Sequence, residues 1–221
     1  MNAEPEARTD VKQRLVEAAT LLFAQRGFDG VGIREIAAAA HANSAMVAYH
    51  FCNKEGLYQA VLRAGFEQGC HVLPPPPSPE DPEARAKAVE GLRLHITGMA
   101  QDLKLAENAS DLEEAFMAIL MRELGRVDSP YLPDLDREFM ATKFEHLAAC
   151  VRILRPGISK AEELTLCGCI SGPILINRLL PGIIRLRTGG TPFPENREAF
   201  CTFIFEHTLR ALGVSPAEVG A

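Results

Sequence analysis

Apolar residues take up helical spacing almost at once: Val11, Leu15, Ala18, Ala19, Leu22 and Phe23 recur every three or four positions and share one face. Asp10 is the expected N-cap, with Gln13 three positions on, and Gly27 followed by the Asp29-Gly30 turn ends the helix. A short second helix is predicted from Ile33, with Ile36, Ala37 and Ala40 turned inward. His41-Ala42-Asn43-Ser44 breaks the pattern, and Asn43 is placed to cap a third short helix reaching about Phe51, with Val47 and Phe51 on its inner side. Asn53 is placed to cap a fourth, from Lys54 to about Val72, whose apolar side is Leu57, Val61 and Leu62. Pro74 to Pro77, with Pro79 and Pro82, cannot continue a helix and mark a junction.

Beyond the prolines, helices are predicted at roughly 83–106, 109–125, 134–154, 160–186 and 195–212, divided by Pro130, Pro133, Pro156-Gly157, Gly189-Gly190 and Pro192. Ser159 and Glu162 have capping-box spacing, and Pro173 predicts a kink or break in the 160–186 helix. Nothing has the alternation of a strand, so the fold class is all-α. The expected domains are a helix-turn-helix head over 1–62, a connecting helix and Pro-rich loop over 63–82, and a helical body over 83–221.

Two short helices joined by a tight turn and preceded by a longer one make a helix-turn-helix, whose second short helix enters the major groove. Anchored by Val47 and Phe51, that helix turns Ser44, Ala45, Met46, Ala48, Tyr49 and His50 outward. Small residues allow a deep approach, and the Ala and Met methyls suit contact with a thymine methyl. The net charge of −6 looks wrong for this role, but seven bases and seven acids balance up to residue 65, so the excess is downstream. Charge therefore permits DNA binding without demanding it.

Composition changes little else. Apolar residues at 47% and charged residues at 24% of 221 suit an ordinary globular chain. No apolar run is long enough to span a bilayer and the first residues lack an apolar leader core, so a cytoplasmic protein without membrane contact is expected. The six cysteines are scattered; reduced thiols are expected, with Cys52, Cys167 and Cys169 read as buried small residues. His95, His146 and His207 show no ligand spacing and are assigned no chemistry. Neither a cofactor nor a metal is implied. No nucleophile paired with a base and no glycine-rich phosphate loop points to an enzyme.

Gly27-Phe28, Ile33-Arg34-Glu35-Ile36-Ala37, the run Asn43 to Phe51, and Asn53-Lys54-Glu55-Gly56-Leu57 come in the order of the TetR-family head, which residues 10–62 resemble. The resemblance implies that Ser44, Ala45, Met46, Ala48, Tyr49 and His50 read the operator, Tyr49 and His50 mainly through phosphates. Lys54 and Arg34 add phosphate contacts. Three positions depart from the family: Gly32 replaces the usual capping Thr or Ser, His41 the turn glycine, and Ala48 a polar residue. Leu120-Met121-Arg122-Glu123-Leu124, then Ser129-Pro130, is similar to the CerR-like subgroup.

The same resemblance implies a homodimer formed by the last two long helices and an effector cavity in the body. Gly168, Ser171, Gly172 and Leu175 offer a smooth stripe, and Phe200, Phe203 and Ile204 lie on a helix apolar nearly all round, which needs cover. Met99, Phe116, Met117, Leu120, Met140 and Phe144 are candidates to line the pocket, each with ordinary core packing as the plainer role. The expected function is a repressor released from operator DNA by a small apolar or amphipathic effector. The competing reading, motivated by Gly32, His41 and Ala48, is a helical protein-interaction module that keeps the fold without specific DNA binding.

Overall fold

The structure, a computed structural model, describes residues 3–69, 71–103, 109–190 and 193–215. In chain order the helices are α1 (Ala3–Arg26), α2 (Ile33–Ala39), α3 (Ala45–Phe51), α4 (Lys54–Gly69), α5 (Ala84–Asp102), α6 (Asp111–Leu124), α7 (Leu132–Leu135), α8 (Ala141–Leu154), α9 (Lys160–Leu179), α10 (Pro181–Arg187) and α11 (Arg197–Ala211), with a π-helical turn over Asp136–Met140. No strand occurs among the described residues.

Helix starts follow the sequence closely in the body. Ser110 and Ser159 each accept from the backbone N–H three residues on, and Glu113 and Glu162 reach back to the cap N–H, giving α6 and α9 full capping boxes. Asn196 caps α11. Differences lie elsewhere. Helix α1 already runs from Ala3, so Asp10 is inside it and not at its start. Helix α4 ends at Gly69, short of Val72, and the expected stretch 104–106 lies outside the described residues. Pro173 sits within an unbroken α9; the bend, 86° into α10, comes at Leu180 before Pro181. A proline bars the N–H bond only at its own position, and Asn177 Nδ2 donates to the Pro173 carbonyl at 2.7 Å, whereas Pro181 begins α10 at the first-turn position that suits it.

The chain divides into two compact units, Met1–Gly69 with Ala109–Asp136, and Cys70–Asn108 with Arg137–Ala221. In the first, α6 packs on α1 and α4, so the head shares its core with a helix distant in sequence. Leu15, Phe23, Ile36, Val47, Leu57, Tyr58 and Leu62 are buried there, each large apolar side chain contributing about 1.5–3 kcal/mol. In the second, α5 lies against α8, α9 and α11, burying Leu92, Ile96, Leu147, Val151, Ile174 and Phe205.

Candidate nucleic-acid interface

Helices α2 and α3 have seven residues each, too short to stand alone, and both rest on α1. The turn between them is a Schellman motif: His41 N–H donates to the Ala38 carbonyl at 3.1 Å and Ala42 N–H to the Ala37 carbonyl at 2.8 Å. That motif needs a left-handed residue after the cap, and His41 takes it with φ +50° where glycine would be unstrained. Arg14 on α1 donates to the Ala40 carbonyl at 3.1 Å, pinning the turn, and Arg26 pairs with Glu35 at 2.5 Å across α1 and α2.

Helix α3 begins one residue later than Asn43 alone suggests. Its cap position is Ser44, which makes no side-chain cap bond, and Asn43 Oδ1 accepts from Ala45 N–H at 2.9 Å. Asn53 Oδ1 accepts from Gly56 N–H at 2.8 Å, capping α4 as expected. Gly32 makes no side-chain cap to α2. Val47 and Phe51 are buried, while Ser44, Ala45, Ala48 and Tyr49 are exposed, Tyr49 by 63%. Met46 and His50 are half-buried, and the His50 ring stands edge-on to Tyr49 with its Nε2 buried and unpartnered among the described residues. The presenting surface is thus small side chains at the N-terminal end of α3 and aromatic ones at its C-terminal end.

Cations flank that surface. Arg34 is exposed on α2. Lys54, at the first turn of α4, holds its ammonium 4.4 Å above the Phe28 ring, which fixes it beside the N-terminus of the helix. Cys52, the C-cap of α3, has φ +66° and is exposed, not buried as read from the sequence.

Behind α3 and α4 a polar frame ties the head to α6. Arg122 donates to the Phe23 and Ala24 carbonyls, both at 3.0 Å, satisfying the end of α1. Tyr58 OH donates to Glu123 Oε1 at 2.7 Å, and Ser129 Oγ donates to Glu123 Oε2 at 2.5 Å, so a carboxylate only 1% exposed has both oxygens engaged. Burial and this carboxylate push the Tyr58 phenol well above its ordinary range. Phe23, Phe28, Tyr58 and Tyr131 stack around it at 5.0–6.5 Å. Nothing in the spacing of residues 58, 123 and 129 announces this cluster; it is closed by tertiary packing.

Residues 15–61 match the family described as bacterial regulatory proteins, tetR family. Over nearly its whole length the chain also superimposes on a solved transcriptional regulator of hemolysin II, HlyIIR, with TM-score 0.57 at 18% identity, covering 90% of this chain and 97% of that one. Residues 15–61 thus carry a TetR-type head, and the chain as a whole shares the all-helical fold of HlyIIR. Regulators of this family bind operator DNA, typically as dimers. Among curated relatives, the probable HTH-type transcriptional regulator YttP of Bacillus subtilis (strain 168) is 37% identical over 60 residues, 27% of this chain and 29% of YttP. The HTH-type transcriptional repressor DhaR of Mycobacterium sp. (strain GP1) is 40% identical over 60 residues, 27% of this chain and 30% of DhaR. The alignments thus span under a third of these relatives' own lengths. These relatives are transcriptional regulators, not enzymes.

The other predicted residues fall as follows. Phe116, Met117 and Leu120 are buried on α6 in the first unit, Phe116 edge-on to Phe66 at 5.7 Å. Met99, Met140 and Phe144 belong to the second, Met99 and Met140 half-buried and Phe144 39% exposed. On α9, Gly168 is exposed, Ser171, Gly172 and Leu175 are half-buried, and nothing lies within 4 Å of a Cβ added at Gly168 or Gly172. On α11, Phe203 is 64% exposed and Phe200 half-buried, while Ile204 is buried inside its own unit. Cys167 is buried but Cys169 is exposed, as two residues apart on a helix must diverge. No described helix alone is long and apolar enough to cross a membrane.

Proposed function

We propose that this chain is a TetR-type transcriptional repressor that binds operator DNA as a homodimer and is released by a small apolar or amphipathic effector held in the second unit. The observation that carries the DNA part is the surface of α3: an exposed face of small side chains leading to Tyr49, on a helix fixed from behind by Val47, Phe51 and the pinned turn. Ser44, Ala45, Met46 and Ala48 face base edges; Tyr49, His50, Lys54 and Arg34 contact phosphates. The repressor sign follows relatives such as DhaR, a repressor by name. The run Leu120–Leu124 with Ser129-Pro130 supports the CerR-like subgroup. Such a regulator works in the cytoplasm, where chromosomal operators are.

The dimer reading rests on an uncovered apolar face. Leu164, Ile176 and Leu179 on α9 are 43–49% exposed, beside the smooth Gly168, Ser171, Gly172 and Leu175 stripe and near-neighbours in type to Phe203 and Phe200 of α11. A second copy related by a twofold axis covers such a face with its own and presents two reading helices about 34 Å apart, one turn of the duplex. The effector acts by favouring a state in which that spacing is lost, since equal affinity for both states shifts nothing. Met99, Met140 and Phe144 supply apolar lining.

Tyr49→Ala tests the placement of the reading helix. Footprinting on DNA upstream of the chain's own gene defines the site, and fluorescence anisotropy reads affinity. The variant should bind about tenfold more weakly, with helicity and dimer mass unchanged. Unchanged affinity would mean that α3 is not the reading helix, and no protection anywhere upstream would favour the protein-interaction module.

A further inference from the structure

A polar cluster in the second unit has no part in DNA reading or in the apolar face. Helix α5 places Gly91, His95, Gly98 and Asp102 on one stripe, and α8 places Lys143, His146 and Cys150 on another. At one end Asp102 Oδ2 accepts from Lys143 Nζ at 2.6 Å and from His71 Nδ1 at 2.7 Å, and Asp102 Oδ1 accepts from the His71 backbone N–H at 2.8 Å. Further along, His95 is 6% exposed and His146 1%. Both ring nitrogens of His95, Nδ1 of His146 and Nε2 of His71 are buried without a hydrogen-bond partner among the described residues.

Two glycines bring the rings onto the backbone of α5. A Cβ on Gly98 would lie 2.1 Å from the His71 ring, and one on Gly91 would lie 2.7 Å from Cys150 Sγ and 2.9 Å from His146 Cε1. The rings of His95 and His146 have no bond fixing these nitrogens, so they can turn without breaking one there. Leu92, Ile96, Leu147 and Val151 are buried on the same two helices, so the cluster has apolar surroundings.

The cluster leaves ring nitrogens unpaired. A neutral imidazole has one N–H donor and one acceptor nitrogen, His95 has neither paired among the described residues, and the one carboxylate already takes bonds from Lys143 and His71. Buried polar groups in a folded protein are normally paired, so these nitrogens point to a hydrogen-bonding group brought from outside, and a carboxylate accepts from the ring N–H groups. We propose that the His71–His95–His146 seam receives the carboxylate of an amphipathic monocarboxylic acid, the effector of the site assigned to the second unit above. The assignment of an effector to that unit is the reading on which this rests.

Proton balance follows. Desolvation, with His71, His146 and Lys143 nearby and only Asp102 opposing, holds His95 down at about 4, so the empty seam keeps it neutral. A carboxylate beside the ring stabilises the imidazolium; one proton moves from solvent to His95 as one carboxylate enters, and the seam's net charge is unchanged.

Isothermal titration calorimetry of the full-length protein with octanoate and benzoate, against octanol and benzyl alcohol, at pH 6, 7 and 8 in two buffers of different ionisation enthalpy, tests this. At least one acid should bind, each alcohol at least tenfold more weakly, with one proton taken up and Kd rising about tenfold per pH unit. His95→Gln, with helicity checked by circular dichroism, should abolish proton uptake and weaken binding at pH 6 at least tenfold; His207→Gln should change nothing. Should His95→Gln fail to fold, the His95 Cε1–H resonance of the wild type must move toward its protonated position on adding the acid. Binding of neither acid, equal binding of the alcohols, binding without proton uptake, an unaffected His95→Gln, or an unmoved resonance overturns the assignment. Operator release is read separately by anisotropy: acid binding without release contradicts the repressor-release reading and leaves the seam standing.

Discussion

Glu123 shows how a single buried charge joins distant parts of the chain. Its oxygens accept from Tyr58, 65 residues away, and from Ser129, so Tyr58→Phe leaves one oxygen without its donor in a dry site. The expected loss is about 1–3 kcal/mol in urea unfolding, against little change for a phenol exposed on the surface such as Tyr49→Phe. His95 acts on stability through pH. Its ordinary value of 6.5 is depressed to about 4 in the fold, so between those values the unfolded chain binds a proton that the folded chain does not. Stability is therefore full above about pH 6.5, falls as pH drops, and levels off below about pH 4, a total of about 3 kcal/mol. Urea unfolding at pH 4.5, 5.5, 6.5 and 7.5 should show this slope, and His95→Gln should flatten it; an equal slope in the variant would place the acid sensitivity elsewhere. Burial lowers His146 as well and adds to the same trend.

Helices were legible where their signals are local. The caps at Asn53 and Ser159 and the inward Val47 and Phe51 could be read from spacing, while the Ser110 cap was not. Tertiary packing decided the rest: α9 passes through Pro173 and bends at Leu180, and α6 shares the core of the head although the chain places it beyond the proline-rich loop. The exposed face of α3 was legible because a helix-turn-helix is made of short-range features. The histidine seam was not, because its three imidazoles come one each from α5, α8 and the chain after α4; the only signal was the four, three, four spacing of Gly91, His95, Gly98 and Asp102. At the turn between α2 and α3, His41 holds φ +50°. His41→Gly should relieve strain and raise stability by about 0.5–1 kcal/mol, and His41→Val, branched at Cβ, should lower it; thermal unfolding of the pair reads both signs.

On the scale of the molecule, charge and apolar surface are separated along the chain. Bases and acids balance through residue 65 and the acidic excess lies beyond it, so the operator binding proposed above rests on placed contacts such as Lys54 and Arg34 and not on a general basic field. Phe203, 64% exposed on α11, belongs to the face assigned to a second copy. Phe203→Glu should shift the protein from dimer to monomer in analytical ultracentrifugation and weaken operator binding with it; an intact dimer would move the interface elsewhere. The most direct measurement is binding of the purified protein to DNA from upstream of its own gene against a scrambled duplex of the same length, across a salt series, with mass read on the complex. Selective binding that weakens steeply with salt, at two chains per site, is the expected result. Binding that ignores sequence, or one chain per site, would contradict a dimer that reads its operator through α3.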